Sequence, residues 1–168
     1  MKQLLHLLVP IGLIALLPGC GLRPLYASGG AGPVSATLNA IEVASIGGQR
    51  GWLMRNALND RLHVRNTGTA RYRLEVELDD DITGFGVRQD NTVTRERRIL
   101  RARYRLTDAA TGGVLLDQSA TADAGIDVAG SEYATAAAEQ TALERLTESL
   151  ADQIVARLAT YADRSAGQ

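Results

Sequence analysis

The 168-residue sequence is short of the groups that do most enzyme chemistry. It has one cysteine, Cys20, so no intramolecular disulfide forms. Its two histidines are His6 and His63, and only His63 lies in the body of the chain. A lone histidine near a helix end reads as a capping or surface residue. With no second cysteine or clustered histidine, metal sites built on those ligands are excluded. No Gly-Lys-Ser/Thr follows Gly84-Phe85-Gly86, so that segment is no phosphate loop, and Gly-x-Ser-x-Gly is absent. The adjacent carboxylates Asp79-Asp80-Asp81 lack the spaced loop of a calcium site and read as a solvated strand end. These absences point away from an enzyme and from a bound cofactor. Aromatic residues make up 4% of the chain, too few for a stacking surface for single strands or sugars. Net charge is −1, which gives no basic footprint for nucleic acid.

Lysine is also scarce. Lys2 is the single one, and every other cation is arginine, the residue suited to bidentate contacts with carboxylate or phosphate. Lys2 precedes an apolar run, Leu4 to Leu17, that is too short to span a bilayer as a mature helix. Charged start, apolar run and small-residue end form the layout of a secretory signal. Leu16-Leu17-Pro18-Gly19-Cys20 resembles a bacterial lipobox with Cys20 at the cut, Pro18 standing where a small residue is usual. The expected modification is a diacylglycerol on the Cys20 thiol and an acyl chain on its new amino terminus. Such chains hold a protein durably on a membrane, each buried methylene contributing about 0.8 kcal/mol. Gly21 follows, where enteric-type sorting would place an aspartate to retain the protein in the inner membrane.

Residues 1–19 are therefore expected to be a leader, 20–36 a lipidated N-terminus and tether, 37–163 one α+β domain, and 164–168 a flexible tail. Glycine and small residues from Ala27 to Pro33 suit a tether. Thr37 to Ile46 reads as a first strand, Gly51 to Val64 as a helix with Leu53, Met54, Ala57, Leu58 and Leu62 on one face, and Asn66-Thr67-Gly68 as a turn. Tyr72, Leu74, Val76 and Leu78 then alternate with charged residues in a half-buried strand, which Asp79-Asp80-Asp81 and Thr83 to Gly86 lead out of. The chain re-enters at Thr92, with Leu100, Ala102, Tyr104 and Leu106 on the apolar face. Thr111-Gly112-Gly113 turns it into a last strand carrying Val114, Leu116, Ala120, Ala122 and Ala124 on that face. Leu143, Leu146, Leu150, Ile154, Leu158 and Tyr161 stripe a long helix opened by Ser131. The order β-α-β-β-β-α predicts a two-layer sandwich, two helices on one face of a four-stranded mixed sheet.

Arg97, Arg101, Arg103 and Arg105 share the polar face of one strand. Two readings stand. Carboxylates on neighbouring strands (Glu75, Glu77, Asp117 and Asp123) neutralise them as a solvated face, or they bind an anionic ligand through guanidinium forks.

Several segments together resemble the LPS-assembly lipoprotein LptE family: Gly19 to Tyr26, Gly84-Phe85-Gly86, Thr94-Arg95, Ala102 to Leu106, Thr111 to Leu115 and Ser131 to Ala134. The resemblance spans essentially the whole chain after the leader. It implies an outer-membrane lipoprotein on the periplasmic side that plugs an LptD-like β-barrel, helps that barrel assemble, and binds lipopolysaccharide on its way to the outer leaflet. It also implies two helices on a four-stranded sheet. On this reading Cys20 is the lipidation site, and Arg97, Arg101, Arg103 and Arg105 are candidates for contact with lipopolysaccharide or the barrel. The competing expectation is a lipoprotein accessory subunit of an ABC-type exporter.

Overall fold

The computed structural model describes residues 32–62, 70–87, 93–128 and 130–166. The leader, Cys20, His63 and the Asn66-Thr67-Gly68 turn lie outside them. Pro33 opens a short helix, α1 (Pro33–Asn39), at the position where a fixed φ and a missing N–H cost a helix nothing. The Gly32 carbonyl accepts from Ala36 N–H and from the Ser35 hydroxyl, and Leu38 is buried. This corrects the expected first strand. Strand β1 is confined to Ile41–Val43, and Thr37–Asn39 belong to α1, which begins inside the stretch read as tether. The β-branched residues there suggested a strand, but burial of Leu38 and the proline start decide for helix.

Gly48 has φ +77° and opens α2 (Gly48–Leu62). Gly51 is required by a close approach, since a Cβ there would lie 2.5 Å from the Ile46 carbonyl oxygen. Met54, Leu58 and Leu62 are fully buried one turn apart, with Leu53 and Ala57 packed beside them. The helix carries the chain over to β2 (Tyr72–Val87), which pairs parallel with β1. Strands β3 (Val93–Asp108) and β4 (Val114–Asp127) follow antiparallel, so the sheet is mixed, in the order β1-β2-β3-β4.

Strand β2 is longer than its apolar alternation suggested. Asp79-Asp80-Asp81 and Thr83 to Gly86 continue it rather than leaving it. The reason is tertiary: β3 sets arginines beside these aspartates, and opposite charges on adjacent strands hold an otherwise strand-averse segment extended. At the β3–β4 turn, Asp108 Oδ1 accepts from the N–H groups of Ala110 and Thr111, and Gly112 takes φ +71°. The turn sits where Thr111-Gly112-Gly113 placed it. A bulge between Leu106 and Thr107 then shifts the register, and Val114, expected on the apolar face, is exposed.

The last helix, α3 (Glu132–Ala166), continues past Tyr161 to Ala166. At 1.5 Å per residue it is about 50 Å long. Leu143, Leu146, Leu150, Ile154 and Leu158 lie against Leu74, Leu100, Tyr104 and Leu106 of the sheet. Helices α2 and α3 cover the same face, as expected for the α+β sandwich, with α1 a third helix beside α3. The other face of the sheet carries the charges and has no covering element among the described residues.

Candidate functional site: the charged sheet face

Alternation along β3 sends even-numbered side chains to the helices and odd-numbered ones outward. Arg95, Arg97, Arg101, Arg103 and Arg105 therefore form one column down the middle of the open face. Each meets a carboxylate. Arg95 Nε lies 3.0 Å from Asp127, Arg97 Nη2 3.0 Å from Asp123, and Arg101 Nη1 3.0 Å from Asp79. Arg103 grips Asp117 with two parallel bonds of 3.1 and 3.0 Å. Arg105 stands between Asp117 at 3.5 Å and Glu75 at 4.0 Å.

The face is thus three charged stripes: acidic β2, basic β3, acidic β4. The Arg103 bond holds the Asp117 carboxyl below its usual range, with Arg105 adding to the pull, and Asp117 in turn holds the Arg103 guanidinium up. The four arginines predicted from sequence are brought together on one surface, and their partners include Glu75, Asp117 and Asp123 of the solvated-face reading, joined by Asp79 and Asp127. Pairs this exposed are screened by solvent and add little to stability, so their carboxylates can be exchanged for another anion at little cost. The hollow on this face lined by Glu75, Glu77, Arg103 and Arg105 has room for about one water molecule.

A second charged group was not predicted. Arg98 and Asp80 sit on the helix side of the sheet, with side chains 9% and 5% exposed. Arg98 Nε and Nη2 donate to the two Asp80 oxygens at 2.8 and 2.6 Å. Arg98 Nη1 donates to the Glu139 carbonyl of α3 at 2.7 Å, and Arg50 of α2 reaches Asp80 Oδ2 at 2.9 Å. One ion pair thereby ties β2 and β3 to both long helices. The Arg98 bond, followed by that from Arg50, keeps the Asp80 carboxyl below its usual range against the opposing effect of burial. A sequence signal existed: Arg98 and Asp80 are opposite charges at even, apolar-face positions of adjacent strands.

The Asp79-Asp80-Asp81 run does not converge on a cation, because Asp79 turns outward to Arg101 and Asp80 inward to Arg98. Among the described residues no group of three or more His, Cys, Asp or Glu could hold a metal ion. No helix among them is long and apolar enough to cross a membrane. Arg61 of α2 reaches out from beside the core to pair with Asp152 of α3.

A family model described as LptE, lipopolysaccharide-assembly, matches residues 38–158. No curated protein matches. Among solved structures, a candidate lipoprotein from Caulobacter crescentus CB15 is 29% identical with a TM-score of 0.66, covering 80% of this chain and 98% of its own. The rare lipoprotein B from Shewanella oneidensis shares the fold at 11% identity and a TM-score of 0.55, over 71% of this chain and 92% of its own. A minor lipoprotein from Acinetobacter baumannii does so at 14% identity and 0.55, over 71% and 88%.

Proposed function

This chain belongs to the LptE family of lipopolysaccharide-assembly proteins, and on that premise we propose that it is a lipid-anchored plug for an LptD-like β-barrel of the outer membrane. In this reading Cys20 carries a diacylglycerol and an N-acyl chain and holds the protein on the periplasmic side. The folded domain enters the barrel, assists its assembly, and helps lipopolysaccharide pass to the outer leaflet. It acts by binding, without catalysis and without a cofactor.

The family match over 38–158 carries the proposal, since it takes in α2, the whole sheet and most of α3. The charged face agrees with it. The lumen of such a barrel is polar, and a plug surface that is charged yet internally paired suits a wet contact. The same arginines suit the lipid. A phosphate approaching Arg97, Arg101, Arg103 and Arg105 can form charge-assisted forks with guanidinium groups whose present carboxylate pairs are solvent-exposed. Acidic residues outnumber arginines on the face, so it does not attract polyanions at long range. Binding has to come from local forks formed at contact.

The test is affinity purification of the tagged full-length protein in mild detergent, with mass spectrometry of what is retained. An LptD-like barrel at near-equal amounts is the expected result. Recovery of an inner-membrane transporter instead overturns the plug and favours an exporter accessory.

A further inference from the structure

The sheet order ends at β4, and nothing among the described residues pairs with its outer edge. Val128 N–H donates to the Thr94 carbonyl in register with the β3–β4 ladder. Alternation in an antiparallel pair then assigns the even residues of β4 to β3 and leaves the N–H and C=O of the odd ones pointing outward. From Asp117 to Asp127 this free edge runs roughly 34 Å, regular in register, with no proline, lysine or arginine along it. Proline and lysine are among the devices by which exposed edges are normally blunted, and the charges this edge does carry are all aspartate.

We propose that the β4 edge accepts an extended segment of a partner protein as a fifth strand, and that this segment alternates apolar residues with polar ones that include arginine or lysine. Both halves of the pattern come from β4 itself. On the helix side, Leu116, Ala122 and Ala124 are only partly buried, an apolar row that an incoming strand's apolar residues extend. On the open face, Asp117 and Asp123 lie six residues apart with no cation on β4, and the stripes run acidic, basic, acidic. The next stripe in that series is basic. A second copy of this chain would set one acidic strand beside another, so the charge pattern selects a different partner. Backbone pairing supplies the affinity and the aspartates the register and preference. This surface goes beyond the proposed role, since it requires neither lipopolysaccharide nor the arginine column.

The experiment uses the full-length chain in mild detergent and two fluorescein-labelled dodecapeptides, each alternating valine with threonine. One carries arginine at two polar positions six apart and the other glutamate at the same positions. Fluorescence anisotropy is expected to show the arginine peptide binding about tenfold or more tightly than the glutamate peptide. Thr121→Pro removes an outward N–H while sparing the β3 ladder, and should abolish binding with the circular dichroism spectrum unchanged. Asp117→Asn with Asp123→Asn should keep backbone pairing and erase or reverse the preference, because Arg97, Arg103 and Arg105 lose those carboxylates, and this decides the matter if the proline variant unfolds. Equal binding of the two peptides, no binding of either, or a folded Thr121→Pro with unchanged affinity overturns the proposal. So does a dimer in sedimentation that Thr121→Pro abolishes, which would assign the edge to a second copy.

Discussion

Replacing Asp80 by alanine should be among the most damaging single changes to a charged side chain in this fold. Asp80 is 5% exposed and accepts from Arg98 twice and from Arg50 once. Without it, the Arg98 guanidinium keeps one bond, to the Glu139 carbonyl, and loses its paired carboxylate, leaving only the unbonded Glu139 charge to offset it at a buried site. Breaking a buried pair this way costs ~3–5 kcal/mol, because the surviving charge loses its partner without regaining water. For a domain of this size that lowers the melting temperature by roughly 10–20 °C. Asp80→Leu combined with Arg98→Met removes both charges and should recover most of the loss. Urea titration followed by far-ultraviolet circular dichroism is the assay, since Trp52 is 62% exposed and a poor reporter of core packing. The pH dependence follows from the depressed Asp80 value. The group's contribution is complete above its unfolded value of about 3.9 and is lost as pH falls through the lower folded value. The gap between wild type and Asp80→Ala should therefore be full at neutral pH and shrink in acid. A loss below about 1 kcal/mol at neutral pH, or a double variant less stable than the single one, would refute the account of Arg98 as a stranded charge.

Leu150→Ala empties the middle of the α3 stripe at a fully buried site and should cost ~2–5 kcal/mol in the same titration. Gly51→Ala presses a methyl group onto the Ile46 carbonyl oxygen, so either α2 or the turn before it must shift, and a loss of about 1–3 kcal/mol is expected. Arg101→Gln, Arg103→Gln and Arg105→Gln made together remove only exposed ion pairs. The melting temperature should barely move while binding to immobilised lipopolysaccharide falls several-fold; unchanged binding would return the column to a solvated face.

The local pattern determined much of this molecule. Period-two alternation in Tyr72 to Leu78 and Leu100 to Leu106 marked the helix-covered face of the sheet, and the Leu143 to Leu158 stripe marked the helix that lies on it. These signals are strong because one face of each element is buried and the other is wet, so the sequence must alternate. The arginine column was legible for the same reason. What the pattern could not carry was whatever depends on a distant neighbour. The triple aspartate reads as a solvated strand end until β3 arginines are set beside it and the strand continues through it. Thr37 to Asn39 read as strand until Leu38 finds the core from a helix. Arg98 reads as an interruption of an apolar face until Asp80, eighteen residues away, enters the same side of the sheet. In each case the deciding free energy is an interaction between elements, and only the tertiary structure brings those elements together.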